Sequence, residues 1–172
     1  MQNLKLVYTF ADRYPYFGLY FFLLIFASIG PCFFYYNLKF VDKDELTSYY
    51  ANKRKNGMIS GIFIFLFSGS ISAFWAYMDL KEYFKTKEVF DNKLFKVVEG
   101  SVNNYHPMSI SGHDTERFDI NGIHFAFADG DKNDYGYNNA AVNGGLIRAN
   151  LYVQISYFNN GSRNVILKLK TE

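Results

Sequence analysis

Two long uncharged blocks fill much of the N-terminal half of the chain. Residues 14–38 and residues 56–78 contain no aspartate, glutamate, lysine or arginine, and most of their side chains are apolar. Each block is longer than the roughly 18 apolar residues that separate a membrane span from a buried helix. The pattern therefore predicts two transmembrane helices, near residues 15–38 and 57–78.

The ends of these blocks support a retained membrane anchor. The first block is too long for a secretory signal peptide and has no small-residue cleavage site. Tyrosines flank it, and Trp75 with Tyr77 closes the second block, as aromatic rings do at headgroup depth. Helical spacing of Leu80, Tyr83 and Phe84 predicts that the second helix continues and ends before Asn92.

Small residues recur at four-residue spacing in the second block, at Gly57 and Gly61 and again at Gly69 and Ala73. Small residues let the backbones of membrane helices approach closely. The stripe predicts contact with another helix, either within the chain, in a homo-oligomer or in a membrane-protein partner. A chance run of small residues is the alternative.

Charge gives a weak indication of orientation and argues against nucleic acid. Seven lysines and arginines flank the predicted spans on the side of the termini, and five lie in the connecting loop. The positive-inside rule then slightly favours a cytoplasmic C-terminal domain. The net charge is only +2, without a basic stripe, so no nucleic-acid partner is expected. A single cysteine, Cys32, excludes an intramolecular disulfide.

From Leu94 onward the hydrophobic period changes from helical to alternating. About five short strands follow without an intervening helix. Such a series is typical of a small antiparallel barrel or sandwich, and closing a barrel removes the exposed strand edges. The predicted fold class is an α+β membrane protein, with a two-helix transmembrane hairpin followed by an OB-like or SH3-like antiparallel barrel. The predicted division is a membrane anchor at residues 1–91 and a soluble β domain at residues 92–172.

Asn121 and Gly122 form the strongest hairpin signal in the chain. With these residues in the turn, His124 lies opposite Asp119 on the outer face, where they form a cross-strand pair. A metal or catalytic role for His124 is the alternative. The core face of this predicted hairpin carries Phe118, Ile120, Ile123 and Phe125.

Glu116 shares the parity of the core-facing residues, so its carboxylate points inward if the strand extends that far. It is solvated if the strand begins at Arg117. A buried carboxylate needs a cation or several donors because its desolvation is costly. His113, His106 or backbone amides of the glycine-rich loop could supply them. The two histidines with Asp114 also suggest zinc ligands. No HExxH spacing and no cysteine pair accompany them, so no metal and no catalytic residue is predicted.

Two polar loops, residues 105–116 and 129–145, are rich in Tyr, Asn, His and Gly, as recognition loops on a rigid scaffold are. Asp129, Asp131 and Asn133 have the spacing of a calcium loop, but the required glycine and glutamate are missing. The residues predicted to form a binding surface are Tyr105, His106, His113, Glu116, Tyr137, Asn138, Gly144 and Gly145.

The C-terminal half resembles a group of uncharacterised small bacterial membrane proteins, in which two N-terminal spans precede a compact β domain. The residues that carry the resemblance are Glu99, Gly100, Val102, Tyr105, Pro107, Met108, Gly112, His113, Glu116, Phe118, Gly122, Phe127, Gly136, Tyr137, Asn138, Gly144, Gly145 and Ile147. The group often has proline after the paired glycines, where this chain has Leu146. The resemblance implies a fold and a membrane location but no activity.

The leading functional interpretation is a membrane-anchored, non-enzymatic binding or accessory module without a cofactor. Its expected partners are the lipid bilayer and a second membrane protein or copy. One alternative is a membrane-tethered metal-dependent or hydrolytic enzyme using His113 and Glu116. Another is an immunity-type protein that neutralises a membrane-active partner.

Overall fold

The computed structural model describes residues 3–40, 48–110, 114–131 and 135–172. Within these ranges the chain forms two α-helices, seven strands and two short 3-10 helices. The helices are α1 (Phe17–Lys39) and α2 (Ser48–Asp91), and the 3-10 helices are Phe10–Asp12 and Ala141–Asn143. The strands are β1 (Lys5–Thr9), β2 (Lys96–Ser101), β3 (Asn103–His106), β4 (Glu116–Ile120), β5 (Ile123–Phe127), β6 (Tyr152–Asn159) and β7 (Asn164–Thr171).

The strands form two open antiparallel sheets instead of the predicted closed barrel. The first sheet has the order β1-β7-β6-β2, and the second has the order β3-β4-β5. Side chains from both sheets share one hydrophobic core, which includes Phe118, Phe125, Ile155 and Leu169. The predicted barrel of about five strands is therefore wrong in both strand number and closure.

A corner at Val102 explains part of this difference. Residues 94–105 have the pattern of a single strand, but Val102 separates β2 from β3, which belong to different sheets. The Val102 amide donates to the Leu151 carbonyl at 2.9 Å, and its carbonyl accepts from the Asn150 amide at 2.9 Å. Because Val102 is fully buried and bonded to another segment, the chain turns there and starts a second sheet.

The chain divides into two compact units. The described parts of residues 1–14 and 81–172 form the β unit, and residues 15–80 form the helical unit. Strand β1, which the predicted division assigns to the anchor, pairs with β7 in the β unit. Phe10 follows β1 and is buried, with its ring centroid 5.7 Å from that of Tyr83 and 5.3 Å from that of Phe90.

The hairpin at Asn121 and Gly122 has the predicted register. Asp119 pairs with His124, and Phe118 pairs with Phe125. Both turn residues have positive φ, at 47° and 80°, as a two-residue hairpin of the mirror-image type requires. The prediction of this hairpin is confirmed.

The predicted two-helix transmembrane hairpin is also wrong, because only one of the two described helices is long and apolar enough to cross a membrane. α1 has 23 residues, whereas α2 has 44 residues and continues to Asp91, as its helical spacing predicted. Among the described residues, the segment Asn52–Asp91 is the one helix long and apolar enough to cross a membrane. Large apolar side chains on this helix are exposed, including Phe63, Leu66, Phe74 and Trp75.

Within the helical unit, α1 and α2 touch through glycines. A Cβ atom added to Gly30 would lie 2.6 Å from the Gly61 carbonyl oxygen, and one added to Gly61 would lie 2.8 Å from the Gly30 carbonyl oxygen. A Cβ atom added to Gly57 would lie 2.1 Å from the Asn37 side chain. The backbones are therefore in direct contact, and the helices run antiparallel. Gly69 has no such neighbour within 4 Å.

Candidate binding site

A short loop in the β unit is held by acidic and phenolic side chains; we call residues 140–147 the anchored loop. The Ala140 amide donates to Asp129 Oδ1 at 2.6 Å, and the next amide, that of Ala141, donates to Glu116 Oε2 at 2.7 Å. The Tyr137 hydroxyl oxygen accepts from the Leu146 amide at 3.3 Å. Three side chains from different segments therefore fix one turn of backbone.

Both ends of the anchored loop are buried, and its middle is exposed. Ala140 and Ile147 have no accessible surface, whereas Val142 is 38% exposed and Leu146 is 44% exposed. The loop thus presents two aliphatic side chains on a backbone that the β unit holds in place. Loops positioned in this way on a rigid scaffold commonly carry binding groups.

The two predicted glycines make the loop geometry possible. Gly144 has a φ of 92°, a left-handed conformation that side chains disfavour. The Gly145 amide donates to the Ala140 carbonyl at 2.9 Å. A Cβ atom at Gly145 would lie 2.0 Å from the Asn139 carbonyl oxygen. The backbone at Gly145 is therefore too close to the backbone at Asn139 for any residue with a side chain.

Glu116 points inward, and the alternative that its side chain is solvated is wrong. It is the first residue of β4, pairs with Phe127 and has no accessible surface. Burial raises the pKa of its carboxyl group, the bond from Ala141 and the nearby Tyr105 hydroxyl lower it, and the charge of Asp129 raises it. The net shift is upward, because burial has the largest effect.

Tyr105 lies beside this carboxyl group. Burial and the adjacent charge of Glu116 raise the pKa of Tyr105 to about 12. The phenol is close enough to stabilise the carboxylate, but neither its oxygen nor Glu116 Oε1 completes a hydrogen bond of ordinary geometry. The contact between the phenol and the carboxylate is therefore electrostatic. Glu116 Oε1 and the Tyr105 hydroxyl oxygen lie buried near each other.

Tyr137 and Asn138 support the anchored loop from its N-terminal side. The Tyr137 ring packs edge-on against Phe127, with centroids 5.4 Å apart, and its burial raises its pKa. The Asn138 side chain donates to the Asp131 carbonyl at 2.8 Å, and its oxygen accepts from Arg13 Nη2 at 3.0 Å. Both residues therefore have structural roles at this position.

Asp129 and Asp131, which have the spacing of a calcium loop, accept hydrogen bonds from protein groups in and beside the anchored loop. Asp129 accepts from Ala140 and from the Asn143 side chain, and Asp131 accepts from the Ala128 amide at 2.9 Å and from Arg163. The donors to these two carboxylates are backbone amides, the Asn143 side chain and the Arg163 guanidinium. Asn133 lies outside the described residues.

The histidines do not gather into one centre in the described part of the chain. His106 Nε2 lies 2.9 Å from Asp114 Oδ2, and His124 Nδ1 lies 2.8 Å from Asp119 Oδ1. Both imidazoles are largely exposed, so the cross-strand interpretation of His124 and Asp119 agrees with the geometry. His113 lies outside the described residues. No group of three or more metal-ligating residues occurs among the described ones.

The structure thus brings Tyr105, Glu116, Tyr137 and Gly145 together around one loop, and it places His106 in a separate surface pair. Sequence reasoning missed Asp129 as a loop-holding residue. Its position directly after the hairpin strand β5 was the available signal, because a carboxylate there can accept amides from the next segment. No protein-family model, no curated protein and no solved structure matches this chain.

Proposed function

We propose that this chain is a membrane-anchored binding or accessory module without catalytic activity, and that the anchored loop forms its recognition surface. The main observation behind the proposal is that Asp129 and Glu116 hold the anchored loop in place. Their carboxylates accept hydrogen bonds from two consecutive loop amides, at 2.6 and 2.7 Å. Acid–base catalysis needs a carboxylate within reach of a substrate proton. Glu116 has no accessible surface and instead rigidifies a loop that exposes Val142 and Leu146.

The proposed anchor is α2 in a bacterial cytoplasmic membrane. Its exposed aromatic and aliphatic side chains suit lipid, and the Ser68, Ser70 and Ser72 hydroxyls each donate to a backbone carbonyl of the same helix at 2.6 Å. Such bonds satisfy polar groups without water. Ala73 is exposed, and a Cβ atom added to Gly69 would meet none of the described residues within 4 Å, so we propose that a helix of another chain packs there. The resemblance to small bacterial membrane proteins supports the same location.

We propose that the β unit lies on the cytoplasmic side, because it contains the seven lysines and arginines counted beside the apolar segments, whereas the helical unit contains the other five. Protease added to spheroplasts should then leave residues 92–172 intact, whereas protease added to inverted membrane vesicles should digest them. A chain solubilised in detergent controls for intrinsic resistance. Digestion in intact spheroplasts would place the unit on the opposite side.

The binding function is testable by photocrosslinking in membranes. A photoreactive amino acid at Val142 should give one discrete crosslinked protein product. The matched control carries the same amino acid at Val97, which lies on β2 of the first sheet and is 57% exposed. This control should give no discrete product. Replacing Gly145 with alanine distorts the loop and should abolish the Val142 product.

Two results would contradict this proposal. The first is equal crosslinking from Val142 and Val97, because it would mean that the loop contacts no specific partner. The second is stoichiometric zinc in the purified protein that is lost when His113 is replaced with alanine. That result would favour the enzyme with His113 and Glu116.

A further inference from the structure

Glu116 is held in an incompletely satisfied state. Its Oε2 accepts from Ala141 at 2.7 Å, but its Oε1 has no hydrogen-bond donor in the described structure. The Tyr105 hydroxyl beside it also lacks an ordinary hydrogen bond. Leaving a buried polar atom unsatisfied costs about 1–3 kcal/mol, and more if it is charged. An ionised Glu116 therefore keeps its charge in a buried site that offers only the Ala141 amide and the adjacent Tyr105 phenol, whereas the protonated acid carries no charge and keeps the Ala141 bond through Oε2.

The other titratable groups around Glu116 do not neutralise its charge. Tyr105 faces it from β3, Tyr137 faces it from the segment before the anchored loop, and Asp129 faces it from the segment after β5. The loop itself contributes a backbone amide. The negative charge of Asp129 raises the pKa of Glu116. The positive charge of Arg148 lowers the pKa of Tyr105. Of these neighbours, the Tyr105 hydroxyl and the Ala141 amide favour the ionised form.

We propose that Glu116 is a proton-operated latch, which holds the anchored loop closed when protonated and favours its opening when ionised. Opening the loop would expose the carboxyl group to water and return its pKa to the ordinary value of about 4.5. Below this value the group is protonated in both forms. Above it the open form ionises first, so opening becomes easier with rising pH until the closed form ionises too.

The latch would regulate the surface to which we assign binding, so its role in binding rests on the proposed function. The pH dependence of the loop opening does not rest on that function. A measurement of the loop without any partner can therefore fail while photocrosslinking succeeds, or the reverse. The two proposals are separable by experiment.

Hydrogen exchange of the full-length protein in detergent micelles tests the latch. Protection of the amides in residues 140–147, corrected for the intrinsic exchange rate at each pH, should fall between pH 4.5 and pH 8. Each pKa unit by which closure shifts Glu116 corresponds to a loss of about tenfold in protection. In the Glu116→Gln variant, which mimics the neutral acid, protection should not change with pH.

Two further variants keep the test decisive. Asp119→Asn removes an exposed carboxylate from the same strand and should retain the wild-type pH profile. Tyr105→Phe removes a group that lowers the pKa of Glu116, so the fall in protection should move to higher pH. This variant also serves if Glu116→Gln does not fold. Constant wild-type protection, an identical profile in Glu116→Gln, or a midpoint in Tyr105→Phe that does not rise would each overturn the proposal.

Discussion

Replacing Gly145 with alanine is expected to destabilise the β unit by about 1–3 kcal/mol, the usual cost of forcing extra atoms into a packed site. The new Cβ atom would lie 2.0 Å from the Asn139 carbonyl oxygen and 2.7 Å from the Ala140 carbonyl carbon. Both neighbours are backbone atoms and cannot rotate away. The loop must therefore move, which strains the bonds that Glu116 and Asp129 make to it. Thermal unfolding followed by near-ultraviolet circular dichroism of the tyrosines measures the loss.

Gly130→Ala is the matched control for this prediction. A Cβ atom at Gly130 meets no atom within 4 Å, and the residue does not have positive φ. The control should be neutral or slightly stabilising, because alanine reduces the freedom of the unfolded chain. Each kcal/mol lost should lower the melting temperature by about 4–8 °C in a unit of this size. Equal melting temperatures for the two variants would show that the close passage at Gly145 is not required.

Replacing Gly61 with isoleucine is expected to separate α1 from α2 in the helical unit. Even the first side-chain atom would lie 2.8 Å from the Gly30 carbonyl oxygen and from the Phe34 amide nitrogen. An isoleucine adds three more carbons, so the helices cannot keep their backbone contact. The expected cost is at least about 1–3 kcal/mol. Spin labels at the exposed positions Tyr36 and Lys53, in a Cys32→Ser background, should report a narrow distance distribution that broadens and lengthens in this variant.

Gly69→Ile provides the control within the same helix. It introduces the same β-branched residue into α2 and therefore has the same helix propensity, but no atom lies within 4 Å of its Cβ position. The labelled control should keep the narrow distribution of the parent protein. A broadening of similar size in Gly69→Ile would attribute the effect to helix propensity, and no broadening in Gly61→Ile would contradict the glycine contact.

Local patterns predicted the hairpin, the inward parity of Glu116 and the end of α2 because each depends on neighbouring residues. Asn121 and Gly122 determine their turn through their own dihedral angles, and alternation from Phe118 places Glu116 on the core side. The sheet arrangement depends on distant partners. Val102 reads as an ordinary strand residue, and only its bonds to Asn150 and Leu151 reveal the corner.

The glycine stripe illustrates the same limit in the helical unit. Its spacing predicted a close approach but did not identify the partner. Gly57 and Gly61 contact α1 of the same chain, while a Cβ atom added to Gly69 would meet none of the described residues within 4 Å. Similarly, the sequence left Glu116 either inward or solvated, and it offered two histidines or the backbone of the glycine-rich loop as donors without deciding which of them the carboxylate accepts from. The bond from the Ala141 amide to Glu116 joins residues 25 positions apart through the fold of the loop.

The pairing of β1 with β7 affects how the protein is made. Lys5 pairs with Thr171, so nearly the whole described chain must be synthesised before β1 finds its partner. At roughly 5–20 residues per second, β1 waits on the order of ten seconds with both of its edges unpaired. Unpaired strand edges are sites of aggregation. The β unit therefore completes its first sheet after synthesis of β7, and a ribosome that stalls before β7 leaves β1 without its neighbour and β6 paired with β2 alone.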